Sequence, residues 1–464
     1  MRIHILGICG TFMAGLAVIA KQLGYEVSGS DENSYPPMSD ILTAAEITVF
    51  NGYEQADFFS GDYDQVIIGN VLSRGNPAVE HVLESKVPYF SGAQWLYENV
   101  LKDRHVLAVS GTHGKTTTAS MLTWILECAG YEPSFLIGGA CEHFDFSARL
   151  TQSQYFVIEA DEYDTAFFDK RPKFLHYRPN TLILNNVEFD HADIYQDLTA
   201  VQRQFHYLLR SVPPNGKVIF NADDDNLSEV LEQGIWSACE RFGLQSGQWQ
   251  ADITSAAGQS FEVRRMDELQ GIVNWSLFGD FNVSNALGAI AAASHVGIKP
   301  EIAIEALAKF KSVKRRAERI AIRAGVTVYE DFAHHPTAIG ATLRAFAQRD
   351  PDRRLVVMLQ LGSRTQQRQA DAAALATALS EAAEVVLLNS DEIQWDITEL
   401  EQLMLDTKFT VYESVDDIVM QWPEQSELHD QVVVMSNKSF DNLPQRLLQA
   451  LEEREQITEC DDEE

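Results

Sequence analysis

The chain has 464 residues, 45% hydrophobic and 22% charged, with 36 Lys and Arg against 68 Asp and Glu, a formal net charge of −32. That length suggests about three domains, each apolar enough for an ordinary core. The balance argues against global disorder and against nucleic-acid binding, because a binder of phosphate backbones needs a basic stripe.

Residues 2–7, RIHILG, read as a short buried strand. One positive charge, an apolar stretch and small residues give the start a faint likeness to a leader, but strand, glycine turn and helix suit it better. A helix is expected over Met13–Leu23, a second strand over Glu26–Ser30 ending at Asp31, a third in QVIIGN, and a turn at Asn76-Pro77. This β-α-β rhythm implies a parallel sheet covered by helices.

A second unit opens with strand His105–Ser110 and helix Ala119–Ala129. Strands follow at Tyr155–Glu159, Thr181–Asn185 and Lys217–Asn221, then a hairpin region over Gln245–Leu277, a helix over Val283–His295 and one from Pro300 to Phe310. A third unit has strands at Val326–Asp331, Leu355–Leu361, Glu384–Leu388 and Gln431–Ser436, with helices over Thr337–Gln348 and Ala370–Glu384. The acidic tail Leu451–Glu464 reads as solvated and frayed.

Cys9, Cys128, Cys141, Cys239 and Cys460 show no CxxC spacing. This argues against a disulfide framework or a zinc site and for reduced thiols in the cytoplasm. No apolar run reaches the roughly 18 residues of a membrane span.

The strongest local signal is Ser110-Gly111-Thr112-His113-Gly114-Lys115-Thr116-Thr117-Thr118 between an expected strand and helix. Glycines turn backbone N–H groups toward phosphate oxygens, and the helix N-terminus adds partial positive charge. Lys115 can reach terminal phosphates and the Thr116 hydroxyl can ligate Mg²⁺. The pattern is imperfect, since Val109 stands where the usual loop has its first glycine.

Two acidic strand ends follow, Glu159-Ala160-Asp161-Glu162 and Asn185-Asn186-Val187-Glu188-Phe189-Asp190-His191. Ligands of open α/β sheets bind beyond the carboxyl ends of strands, so Glu159 suits Mg²⁺ and His191 suits a second ion or a phosphate. The first turn, Gly7-Ile8-Cys9-Gly10-Thr11-Phe12-Met13, with Asp31 ending the next strand, fits a dinucleotide, another nucleotide diphosphate, or tight helix packing.

Together these segments resemble the Mur ligase family, the ATP-dependent amide ligases of peptidoglycan synthesis. The resemblance runs through GICGTFMAG, SGTHGKTTT, EADEYD, NNVEFDHADIY, GDFNVSNA, KRRAE and EDFAHHPT, in order. The glycine turn and the His-His-Pro motif resemble the branch acting on UDP-N-acetylmuramate, and MRIHILGICGTFMAG, YPPM, IIGN, RGNP, EADEYDTAFFDKR and LNNVEFDHADI resemble, within it, the members that attach a recovered tripeptide. It implies an α/β architecture of three domains in series: a Rossmann-like UDP-sugar domain (1–104), a central phosphate-loop ATPase domain (105–311) and a Rossmann-like amine-binding domain (312–464).

The same resemblance implies ATP and Mg²⁺ as cofactors and assigns residues. Gly7, Cys9, Gly10, Thr11, Phe12, Met13, Asp31, Asn70, Ser73 and Asn76 would hold the UDP sugar. Gly111, Thr112, His113, Gly114, Lys115, Thr116, Thr117, Asn282, Asn285, Arg316 and Asp331 would hold ATP. Thr116, Glu159 and His191 would serve the metal, and Lys115, Glu159, His191 and Arg316 the catalysis. His334, His335 and Arg364 would meet the peptide amine.

The implied reaction joins UDP-N-acetylmuramate to L-Ala-γ-D-Glu-meso-diaminopimelate in cell-wall recycling, with L-alanine as the alternative acceptor. A phosphate-loop ATPase that drives conformational change and a nicotinamide oxidoreductase are rivals of other classes. Gln202–His206 holds no lysine to be carbamylated, so none is expected. Leu361-Gly362-Ser363-Arg364 and Met435-Ser436-Asn437-Lys438-Ser439-Phe440-Asp441 depart from the family where the peptide would be read. The expected setting is the cytoplasm, as a monomer or weak homo-oligomer without nucleic acid.

Overall fold

The computed structural model describes residues 1–34, 38–54, 61–139, 141–144, 146–192, 194–368, 371–405 and 407–462, the last six by backbone alone. Tyr35-Pro36-Pro37 of YPPM, Asp193, Ala370 and the end of the acidic tail lie outside them.

The first sheet holds β1 (Arg2–Leu6), β2 (Glu26–Asp31), β3 (Thr48–Asn51), β4 (Gln65–Ile68) and β5 (Tyr89–Ser91), all parallel, in the order β3-β2-β1-β4-β5. This doubly wound order reverses beside β1, where the turn after Leu6 opens.

The second sheet is built from β6 (His105–Ser110), β7 (Ser134–Leu136), β8 (Ala148–Arg149) and β9 (Tyr155–Glu159). A separate hairpin pairs β10 (Asp164–Ala166) with β11 (Asp169–Pro172). The sheet continues with β12 (Thr181–Leu184), β13 (Lys217–Asn221), β14 (Ala238–Gly243), β15 (Trp249–Ile253), β16 (Ser260–Arg265) and β17 (Glu268–Asn274). Its order is β17-β16-β15-β14-β13-β12-β6-β9-β7-β8, with β15, β16 and β17 forming an antiparallel meander where a hairpin region was expected. Strand β6 lies between β9 and β12, and Val109 is level with both Glu159 and Ile183. Parallel pairing therefore delivers the segments after Ser110, Glu159 and Leu184 to one edge.

The third sheet contains β18 (Glu318–Arg323), β19 (Val326–Asp331), β20 (Leu355–Gln360), β21 (Glu384–Leu388), β22 (Lys408–Tyr412) and β23 (Gln431–Met435), ordered β18-β19-β23-β20-β21-β22. Only β18 is antiparallel within it. The architecture is the expected series of three α/β units.

Helix Thr11–Gln22 packs across onto the second sheet. A Cβ on Gly15 would lie 2.3 Å from Leu136 Cδ1 and 3.1 Å from the Ala148 Cβ. One apolar cluster accordingly runs from Ile3 and Leu16 through Leu136 and Ile158 to Leu209.

Some local readings need correction. Asn76-Pro77 is no mere turn: the Asn76 side chain accepts from the Ala78 and Val79 N–H groups at 3.0 and 3.4 Å, and helix Pro77–Ser85 follows. Proline at the first helical position leaves no amide unsatisfied. The helix after the phosphate loop begins at Lys115, four residues before the expected start. The tail is not simply frayed: helix Leu443–Asp462 buries Leu447 and Leu451.

Candidate active site

Glycine geometry shapes the phosphate loop. Gly111 (φ 145°) and Gly114 (φ 78°) occupy the region that side chains disfavour, and Gly114 starts helix Lys115–Cys128. A Cβ at Gly114 would stand 2.5 Å from Asn285 Oδ1 and 2.9 Å from Asn185 Nδ2. The same amide groups hold Thr118, whose hydroxyl donates to Asn285 Oδ1 at 3.1 Å and accepts from Asn185 Nδ2 at 3.0 Å. Thr117 follows the loop into the helix and is buried.

Lys115 folds back over this loop. Its ammonium donates to the Gly111 carbonyl at 2.8 Å and to Glu162 Oε2 at 2.9 Å, with Asp161 at 3.6 Å. Burial opposes its charge, but Glu162, Asp161 and Glu159 outweigh burial and raise the pKa. Glu162, only 2% exposed, is a central partner that sequence reasoning did not single out. Despite burial, Lys115 and His191 keep it ionised. Its place three residues past a strand end was the available signal.

Thr116 Oγ1 donates to Glu159 Oε1 at 2.9 Å, while Glu159 Oε2 accepts from the Gly138 N–H at 2.6 Å. Burial raises the Glu159 pKa against the pull of Lys115. A hydroxyl and a carboxylate oxygen side by side are the hard donors that magnesium prefers. His191 Nε2 lies 3.2 Å from Glu162 Oε1. Burial opposes its protonation, but Glu162 and Asp190 raise its pKa overall. Its backbone is left-handed at φ 58°, held by an N–H bond to Asp190 Oδ1 at 2.7 Å.

The third unit reaches this edge through two segments. Arg316 Nη2 donates to Thr116 Oγ1 at 3.4 Å. Burial lowers its pKa, and Asp331 partly restores it. The buried Asp331 carboxylate accepts from the Ala317 and Ala333 N–H groups at 2.6 and 2.7 Å, so it braces the Arg316 loop. After Asp331, His334 Nε2 lies 3.7 Å from Asp190 Oδ2, and His335 Nδ1 lies 3.1 Å from Glu188 Oε2. His113 Nε2 meets that same Glu188 oxygen at 3.1 Å. The structure thus gathers Lys115, Thr116, Glu159, His191, Arg316 and Asp331 in one linked network.

The remaining expected residues divide. Asn285 joins the loop network, whereas Asn282 Nδ2 donates back to the Phe278 carbonyl at 2.7 Å; among the described residues no side chain caps this helix. Arg364 is exposed on helix Arg364–Arg368, whose Thr365 hydroxyl accepts from the Ala192 N–H at 3.1 Å beside His191. At the first turn, Gly7 has φ 76° and Gly10 precedes helix Thr11–Gln22. Asp31 Oδ2 accepts from the Cys9 N–H at 2.8 Å and Asp31 Oδ1 from Asn33 at 3.1 Å, so this carboxylate ties the turn together. Phe12 reaches toward the second unit, with Lys173 Nζ 5.5 Å from its ring centre, and Met13 is buried. Asn70 and Ser73 lie on the loop after β4, where the Ser73 carbonyl accepts from the Asn76 N–H at 3.3 Å.

Known proteins share this sequence and fold. The model of the Mur ligase family catalytic domain matches residues 2–104, that of the Mur ligase middle domain 109–293, and that of the glutamate ligase domain 315–438. Over 452 residues the chain is 50% identical to the UDP-N-acetylmuramate--L-alanyl-gamma-D-glutamyl-meso-2,6-diaminoheptandioate ligase of Escherichia coli (strain K12), covering 97% of this chain and 98% of that one. A UDP-N-acetylmuramate--L-alanine ligase of Desulforapulum autotrophicum is 34% identical over 366 residues, covering 77% of each. Among solved structures, a murein peptide ligase of Psychrobacter arcticus superposes with a TM-score of 0.76 at 41% identity, over 97% of this chain and 99% of that one. The UDP-N-acetylmuramate-alanine ligase of Thermotoga maritima shares the fold, with a TM-score of 0.81 at 22% identity over 99% and 100% of the two chains.

Proposed function

This chain belongs to the Mur ligase family, and on that premise we propose that it uses ATP to join UDP-N-acetylmuramate to L-Ala-γ-D-Glu-meso-diaminopimelate in cell-wall peptide recycling. The observation that carries the choice of acceptor is the 50% identity over 97% of the chain to a ligase named for this tripeptide, against 34% over 77% for an L-alanine ligase.

The chemistry follows from a poor leaving group. An amine does not displace oxide from a carboxylate at neutral pH. The lactyl carboxylate therefore attacks the γ-phosphorus of ATP, forming an acyl phosphate and releasing ADP. The neutral peptide amine then adds to the acyl carbon, and the tetrahedral intermediate expels phosphate and loses a proton to give the amide. No nucleophilic side chain is required. Positioning, charge stabilisation and exclusion of water suffice.

Lys115 would turn from Glu162 to the γ-phosphate oxygens, with the backbone of Gly111–Thr117 around the phosphate chain. Arg316, braced by Asp331, would add positive charge as the third domain closes. Asn282 and Asn285 would border the adenine. Thr116 and Glu159 would hold magnesium, with His191 serving a second ion. Magnesium bound there supplies neutralisation of phosphate charge. Gly7, Cys9, Gly10, Thr11, Phe12, Met13, Asp31, Asn70, Ser73 and Asn76 would line the UDP-sugar site, and His334, His335 and Arg364 would face the amine. The proposed domain limits are 1–104, 105–311 and 312–464, and the proposed setting is the cytoplasm. Among the described residues no helix is long and apolar enough to cross a membrane.

The deciding experiment measures phosphate release from ATP and Mg²⁺ with UDP-N-acetylmuramate, comparing the tripeptide with L-alanine. Release with the tripeptide alone, and a product of summed mass less water, is expected. Release with L-alanine alone would move the chain to the biosynthetic reaction, and release without either acceptor would overturn ligation. Lys115→Ala should abolish turnover while leaving the circular dichroism spectrum unchanged; full turnover would remove Lys115 from the mechanism.

A further inference from the structure

Beside the phosphate loop, His113, Glu188 and His335 each bring one ligand atom within 4.8 Å of the others. We propose that these three side chains form a site for a borderline divalent cation of the zinc class, and that its occupancy fastens the third domain to the phosphate loop. The proposal is independent of which amine is ligated.

The donor set selects the ion. Two imidazole nitrogens and one carboxylate oxygen suit zinc, whereas magnesium prefers an octahedral shell of oxygens. Tetrahedral zinc bonds of about 2.0–2.1 Å hold neighbouring ligand atoms roughly 3.3 Å apart. Both histidine–glutamate separations here are 3.1 Å. A small swing of either ring completes the third edge, and water can take the fourth position. The cysteine spacing had argued against zinc, but this site uses no cysteine.

Two of the three ligands sit on braced backbone. The Glu188 N–H donates to Thr112 Oγ1 at 2.8 Å, and the His113 N–H donates to Asn186 Oδ1 at 2.7 Å. Both ligands are thereby pinned within the second domain. His335 comes from the third domain, where it begins helix Pro336–Arg349. A shared ion would cross that boundary.

Without an ion the contacts conflict. His335 Nδ1 accepts the Thr337 N–H at 3.4 Å, which requires a lone pair on that nitrogen. The same lone pair then faces the Glu188 carboxylate at 3.1 Å. A cation that takes this lone pair over from the long Thr337 contact turns two opposed acceptors into two ligands.

The test titrates the full chain with Co²⁺, a spectroscopic stand-in for zinc, under saturating Mg²⁺ to fill hard-oxygen sites. Visible d–d absorption reports tetrahedral binding. One equivalent should bind, be displaced by Zn²⁺ and resist Mg²⁺. Glu188→Gln and His335→Gln, each checked for folding by thermal melt, should weaken binding by more than the roughly 10–100-fold that loss of an outer-sphere partner costs. Zn²⁺ should also slow amide exchange in the first turn of helix Pro336–Arg349, and fail to do so in Glu188→Gln. Absence of the band, unchanged affinity in both variants, or a band abolished only by Glu159→Gln would overturn the site. Unchanged amide exchange in the wild-type chain would overturn the fastening.

Discussion

Single residues carry charges whose cost depends on their surroundings. His4 is fully buried in β1, its ring nitrogens 2.9 Å from the hydroxyls of Ser28 and Ser30. Burial pushes its pKa down to about 3. An unfolded histidine takes up a proton near pH ~6.5, so acid favours the unfolded chain throughout that interval. The stability is fully present above pH ~6.5 and falls as pH drops toward the folded value, by about 2 kcal/mol at pH 5. His4→Asn should flatten the dependence of the urea midpoint between about pH 6.5 and 4; an unchanged slope would exclude this assignment. Lys115 shows the opposite balance, because three carboxylates overcome burial. Its charge was expected from the Gly-Lys-Thr pattern, but Glu162 as its partner was not, since 47 residues separate them.

Elements are placed by what their glycines permit. Gly15 sits inside helix Thr11–Gln22, where glycine lowers helix propensity by roughly 1 kcal/mol relative to alanine. Its role is close approach, with Leu136 Cδ1 2.3 Å from a built Cβ. Gly15→Val should push the helix off β7 and β8 and destabilise the protein by about 1–3 kcal/mol, the usual cost of overpacking. A thermal melt unchanged from wild type would show that the interface yields freely. The sequence alone suggested three purposes for this glycine-rich turn, and Gly15 serves helix packing. Strands with continuous apolar runs, such as His105–Ser110 and Tyr155–Glu159, were legible to the residue. The edge strands Thr48–Asn51 and Glu318–Arg323 were not, because their half-exposed faces carry no distinctive run.

At the scale of the whole molecule, the second and third domains meet around an aromatic cage. The Arg349 guanidinium lies 4.2 Å from the Phe278 ring centre, 4.9 Å from Phe346 and 5.1 Å from Tyr329. Phe278 comes from the second domain, and its carbonyl accepts the Asn282 amide. Phe278→Ala should cost about 3–5 kcal/mol, as truncation of a buried phenylalanine does. Denaturant unfolding should show the loss, and the KM for ATP should rise because the Asn282 segment loosens. A stable variant with wild-type KM would mean that the cage does not transmit between the domains.

The sequence by itself determined the three α/β units, the phosphate loop and the strand ends that carry Glu159 and His191. These depend on short-range rules: apolar runs make strands, glycine permits left-handed turns, and parallel strands aim their carboxyl ends one way. Only the tertiary structure decided that Glu162 holds Lys115, that Asp31 ties its own turn, and that His113, Glu188 and His335 converge. Those contacts join segments as far apart as residues 113 and 335. Their geometry arises from how sheets and domains pack, a balance of many weak contacts that no local stretch of chain encodes.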